Sequence, residues 1–138
     1  MIMLPKPYYQ DDAATIYHAD CRDILPHLEP VDLVLTDPPY EQSSSGGGMV
    51  AKRPTYQKIG KELSSFNPLD FWDLLVNSTK GNHGYIFTSK NCLKDFISKA
   101  TEYDLSWDLL IYSKNNPPPM KNNRYLSSFE SLFFFRGN

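Results

Sequence analysis

The 138 residues are 41% hydrophobic and 22% charged, with a formal net charge of −2, which is material for one domain with its own core. No apolar run approaches the roughly 20 residues that cross a bilayer, no signal-peptide pattern opens the chain, and Cys21 and Cys92 form neither a disulfide framework nor a metal cluster. The slight acidity argues against a surface that binds nucleic acid everywhere. Charge is uneven, however: Lys52, Arg53, Lys58 and Lys61 fall between Met49 and Lys61 with no acid among them, a local basic loop able to hold phosphates.

Residues 1–13 show no periodicity and read as an irregular arm. Thr15-Ile16-Tyr17-His18 is a short strand candidate. Asp20 is placed to cap a short helix over Arg22 to Leu28, which Pro26 limits to a turn or two. Val31-Asp32-Leu33-Val34-Leu35-Thr36 is the clearest strand, and its near-continuous apolar character predicts cover on both faces. It must end at Asp37-Pro38-Pro39, because two prolines cannot donate to a ladder. Residues 41–65 read as a flexible loop, with Ser43 to Gly48 a linker by composition.

Asn67 as N-cap and Pro68 at the first position open a helix with Phe71, Leu74 and Leu75 on one face. Gly81 is placed to stop it. Tyr85-Ile86-Phe87-Thr88 is the next strand, and a helix follows with Leu93, Phe96, Ile97 and Ala100 on one side. Leu105 to Tyr112 and Ser131 to Phe135 are the last strands. Trp72, Trp107, Phe133, Phe134 and Phe135 are assigned to the core, and both cysteines to buried free thiols. His18, His27 and His83 have no ligand spacing, so no metal is assigned. Strands alternating with helices predict an α/β fold with a parallel sheet, the last two strands forming an antiparallel pair at one edge.

In open α/β sheets the site lies outside the carboxyl ends of the strands. Asp37-Pro38-Pro39-Tyr40 sits at such an end. An exocyclic nitrogen of a nucleobase is a poor nucleophile, because its lone pair is delocalised into the ring. Two acceptors aimed at its hydrogens, the Asp37 carboxylate and the Pro38 carbonyl, localise that lone pair and stabilise the charge developing as nitrogen attacks a methyl group. Pro39 restricts Pro38 to extended conformations. Tyr40 offers a flat face for a base taken out of the helix. The competing reading is a strand-ending Asp-Pro turn with a half-buried tyrosine.

These residues, with Ile16 to Leu25 before them, resemble the opening of the DNA adenine or cytosine amino-methyltransferases, in the permuted order that places the catalytic motif near the N-terminus. Lys114-Asn115-Asn116-Pro117, then Arg124 and Glu130, is similar to the later catalytic-domain pattern of that family. The resemblance covers nearly the whole chain. It implies a Rossmann-like sheet and direct in-line transfer of a methyl group from S-adenosylmethionine to the amino group of adenine in double-stranded DNA, with the target base flipped out. It implies catalytic roles for Asp37, Pro38, Pro39 and Tyr40, and cofactor contacts for Asp20, Cys21 and Asp37. Lys52, Arg53, Lys58, Lys61, Lys114 and Asn115 are the candidate DNA contacts. Relatives acting on RNA or on protein glutamine prefer Asn at the first motif position, so Asp37 argues for DNA.

The family also carries a strand ending in an aromatic-x-Gly-x-Gly turn around the cofactor. In this order it belongs after the segment ending near Asn138, and the 138 residues do not contain it. The expectation is therefore a partial catalytic domain from a bacterial or phage restriction-modification system, acting in the cytoplasm. A second chain or a homodimer would complete it. The alternative is a catalytically incomplete fragment that binds DNA or a partner without methyl transfer.

Overall fold

The structure is a computed structural model that describes residues 4–38, 67–115 and 128–138. The expected loop 41–65, with its four basic residues, lies outside them.

The N-terminal arm is partly ordered, contrary to the sequence expectation. β1 (Tyr9–Gln10) and β2 (Thr15–Ile16) pair antiparallel as a two-stranded sheet of their own. Asp11 builds the turn, its carboxylate accepting from the amides of Ala13 at 2.9 Å and Ala14 at 2.7 Å. Such side-chain-to-backbone bonds are what Asp offers a turn, and apolar periodicity does not register them. α1 (Cys21–Ile24) follows, capped by Asp20, and runs into a 3-10 turn over Leu25–His27.

The main sheet has four strands in the order β3-β4-β6-β5: β3 (Val34–Thr36), β4 (Gly84–Thr88), β5 (Ser106–Ser113) and β6 (Phe129–Arg136). β3 and β4 are parallel, while β6 lies between β4 and β5 and runs antiparallel to both. α2 (Pro68–Asn77) and α3 (Lys90–Glu102) are the connecting helices. The result is a Rossmann-like α/β sheet, with the antiparallel strand pair β5–β6 at one edge.

β3 is shorter than the apolar run predicted. The Val31 amide donates to Ser78 O at 2.9 Å and the Lys80 amide to Val31 O at 2.8 Å, so residue 31 is tied to the turn after α2 rather than to the main ladder. Nor is the strand covered on both faces, because Leu33 is 46% and Leu35 66% exposed. Continuous apolar sequence expresses a demand for cover, and among the described residues that demand is unmet on one side.

The core lies between the sheet and the two helices. Trp72, Leu75, Ile86, Phe96, Phe133 and Phe135 are all fully buried. Trp72 meets the Phe135 ring at 4.7 Å and the Phe133 ring at 6.0 Å between centroids. Gly84 is required for this packing: a Cβ there would stand 2.6 Å from Cε1 and Cζ of Phe135. α2 starts as expected, with the Asn67 side chain accepting from the Leu69 amide. It ends at Ser78 rather than Gly81, which with Asn82 supplies the positive-φ turn into β4.

Two core assignments need correction. Trp107 is 43% exposed on the edge strand β5, although one side of its ring stacks on Phe133 at 5.8 Å between centroids. Phe134 points to the other face of the sheet, half-buried, with its ring 4.9 Å from that of Tyr85. Of the two cysteines, Cys92 is buried in the core but Cys21, on the first turn of α1, is exposed.

Candidate active site at the strand ends

β3, β4 and β5 all finish at the same end of the sheet, and β6 begins there. Asp37 follows β3 directly and is exposed; Pro38 is buried. A buried proline anchors the chain where the strand must stop, so the carboxylate before it is presented at a fixed place. Pro39 and Tyr40 lie outside the described residues, as do Lys52, Arg53, Lys58 and Lys61. The structure therefore locates two of the four motif residues.

The same end gathers a second group. Ser89 follows β4 and caps α3, its Oγ accepting from the Cys92 amide at 3.4 Å. Lys114 follows β5, and its ammonium pairs with the Glu130 carboxylate on β6. Lys114, one of the candidate DNA contacts, thus has its charge balanced within the chain, while Asn115 beside it is exposed. A cavity of about 320 Å³ opens between these elements, lined by Ser89, Lys90, Lys114, Phe129, Glu130 and Ser131 over a floor at Thr88. Sequence reading found Lys114 and Glu130 through family resemblance, and passed over Ser89, Lys90, Phe129 and Ser131. The Ser89 cap after a strand was a local signal for that junction.

Asp20 and Cys21 are elsewhere in the sequence of elements, after the β1–β2 hairpin rather than after a strand of the main sheet. Asp20 accepts hydrogen bonds from the Arg22 guanidinium and from the Arg22 amide. Those bonds hold its carboxyl down at about 2, the Arg22 side chain contributing most. The Cys21 thiol moves the opposite way: burial of its sulfur raises its pKa, and the Asp20 charge adds to the effect. A thiol kept protonated is a poor nucleophile.

Among the described residues no group of three or more metal-ligating side chains occurs, and no helix is long and apolar enough to cross a membrane.

The class these features define, a Rossmann-like α/β unit with Asp37-Pro38 at a strand end, agrees with what the chain is similar to. No family model matches it. Among curated proteins it is 28% identical to the type II methyltransferase M2.LlaDCHI of Lactococcus lactis subsp. cremoris, across 99% of this chain and 55% of that protein. It is 26% identical to the type II methyltransferase M2.DpnII of Streptococcus pneumoniae, across 99% of this chain and 56% of that one. The chain spans about half the length of the curated relatives it matches. Among solved structures, a complex of M1.HpyAVI with SAM superposes with a TM-score of 0.62 at 22% identity, over 88% of this chain and 52% of that one. A second crystal structure of M1.HpyAVI gives 0.59 at 20% identity, over 88% of this chain and 56% of that one. The chain is thus similar to type II methyltransferases along nearly its whole length.

Proposed function

We propose that this chain is the motif-bearing part of an S-adenosylmethionine-dependent DNA methyltransferase that modifies the exocyclic amino group of adenine. The observation that carries the reading is Asp37, exposed at the carboxyl end of β3 and backed by the buried Pro38, in a chain similar along 99% of its length to type II methyltransferases. In this reading Asp37 accepts one hydrogen of the target amino group and the Pro38 carbonyl the other, so the nitrogen lone pair is localised where it attacks. Pro39 fixes the Pro38 carbonyl and Tyr40 stacks on the flipped base. The cofactor would supply an activated methyl group.

The donor set suits that cofactor. Asp37 and Asp20 are exposed carboxylates, and a carboxylate has about four acceptor sites, so Asp20 keeps acceptors free beyond those Arg22 uses. Cys21 would lie beside the adenine end. Lys52, Arg53, Lys58 and Lys61 would neutralise phosphates of double-stranded DNA, and Asn115 would contact the strand near the site. Lys114 is the weaker candidate, because Glu130 already balances it.

The reading includes a segment that completes the sheet beside β3. Leu33 and Leu35 are exposed on a strand whose outer edge has no partner among the described residues, and edges of that kind are paired in working sheets. The test is calorimetric titration of S-adenosylmethionine into the chain, alone and supplemented with the portion of M2.LlaDCHI that it does not cover. Mass analysis of nucleosides from treated DNA follows. Cofactor binding that is lost in Asp37→Ala, with methylated adenine in the product, is expected of the supplemented protein. Absence of both would refute the reading, and methylcytosine instead would correct the target base.

A further inference from the structure

β5 is the outermost strand on one side of the main sheet. Its 8 residues pair with β6 in one unbroken register, from Ser106 opposite Arg136 to Ser113 opposite Phe129. The Lys114 amide continues that ladder, donating to Ser128 O at 2.7 Å. Backbone groups along an antiparallel strand turn alternately to one side and the other, so the even-numbered residues of β5 turn theirs to β6. Trp107, Leu109, Ile111 and Ser113 turn theirs to the open edge, which has no strand partner among the described residues. Native proteins blunt such edges with lysine, proline, a bulge or short length. Between Ser106 and Ser113 there is no lysine, no proline and no break in register. Trp107, Leu110, Ile111 and Tyr112 are exposed along it. One restraint is present: the Asp108 carboxylate accepts from the Leu109 amide at 2.7 Å, which occupies one of the outward donors.

We propose that this edge pairs antiparallel with the same strand of a second copy, about a twofold axis at Leu110, so that the two sheets become one. The pattern of the strand itself selects that occupant. Residues opposite one another in a ladder share a face, so a twofold pair matches odd with odd and even with even. Centred on Leu110, it sets Leu109 opposite Ile111 and Trp107 opposite Ser113, on the face that carries Phe133 and Phe135. On the other face Leu110 meets its own counterpart and Asp108 stands opposite Tyr112. Every outward residue of both copies then has a ladder partner, about eight hydrogen bonds in all. Apolar side chains meet at the centre and no like charges oppose each other. A twofold contact makes each favourable pair twice. Asp108 restrains the contact, because its carboxylate must release the Leu109 amide before the Ile111 carbonyl of the second copy can accept from it. None of this depends on methyl transfer.

The test is sedimentation of the full chain carrying Leu35→Lys, which places a charge at the β3 edge and leaves β5 as the edge under study. Bare strand edges lie at the low end of interface sizes, so concentrations run up to about 200 μM. A monomer–dimer equilibrium is expected. Ile111→Pro weakens it about tenfold or more through lost ladder bonds. Proline at that position removes only an outward donor, so the β5–β6 ladder is retained, and an unchanged circular dichroism spectrum checks this. Asp108→Ala tightens the dimer roughly threefold by freeing the Leu109 amide. Leu110→Lys and Leu110→Glu are each monomeric alone and pair when mixed, because the two altered side chains meet on the axis. A monomer at every concentration, a dimer indifferent to Ile111→Pro, or mixed charge variants that stay apart would each overturn the proposal. Unchanged affinity in Asp108→Ala would overturn its restraining role.

Discussion

Replacing Gly84 with alanine tests the packing between β4 and its antiparallel partner β6, where Gly84 stands opposite Phe135. The added Cβ would stand 2.6 Å from two carbons of the Phe135 ring, where carbon atoms normally rest about 3.5–4.0 Å apart, so the ring must retreat by roughly 1 Å. It has nowhere to go cheaply: Phe135 is 0% exposed and the Trp72 ring lies 4.7 Å from it. Backing away along the other direction meets backbone, with Val34 O at 3.4 Å from the new carbon. Overpacking of this kind costs about 1–3 kcal/mol, offset by about 0.4–1 kcal/mol from the reduced freedom of the unfolded chain. The net loss expected is about 1–2 kcal/mol, or roughly 3–8 °C in melting temperature for a domain of this size. Urea unfolding followed by tryptophan fluorescence measures it. Gly84→Ala combined with Phe135→Leu should recover part of the loss, because the smaller side chain vacates the contested space. An unchanged midpoint in the single variant, or no recovery in the double, would refute the reasoning.

Other consequences are measurable independently. Trp72→Ala removes the ring that touches Phe96, Phe133 and Phe135, and a loss of about 3–5 kcal/mol is expected by chemical denaturation. The depressed Asp20 carboxyl, near 2, contributes stability that is fully present above its unfolded value of about 3.9 and lost as pH falls from about 4 toward 2. Carboxyl NMR should find a midpoint near 2 that moves up in Arg22→Ala. Leu35, 66% exposed, should tolerate lysine within about 0.5 kcal/mol of stability. The same Leu35→Lys change should reduce concentration-dependent association in light scattering, and prevent recovery of cofactor binding in the supplemented protein.

Much of this was readable from local sequence. The strand ending at Asp37, the Asn67-Pro68 helix start, the Phe96 and Ala100 face and the antiparallel closing pair all rest on rules that involve a few neighbouring residues: proline's missing donor, side-chain capping, helical and strand period. The Asp37-Pro38 turn at the end of β3 was legible for the same reason, since it is made by contiguous residues. The β1–β2 hairpin was missed because it hangs on two hydrogen bonds from Asp11 and on no apolar pattern.

What tertiary structure alone decided was neighbourhood. β6 follows β5 in the chain but lies between β5 and β4, which buries Phe133 and Phe135, leaves Trp107 at an edge, and sends Phe134 to the opposite face. That insertion also brings Glu130 to Lys114 and opens a cavity beside Thr88, although these residues come from three strands far apart in sequence. Local propensity determines which segments become strands. The order in which they pair is set by which arrangement buries the aromatic side chains best, and that competition is global.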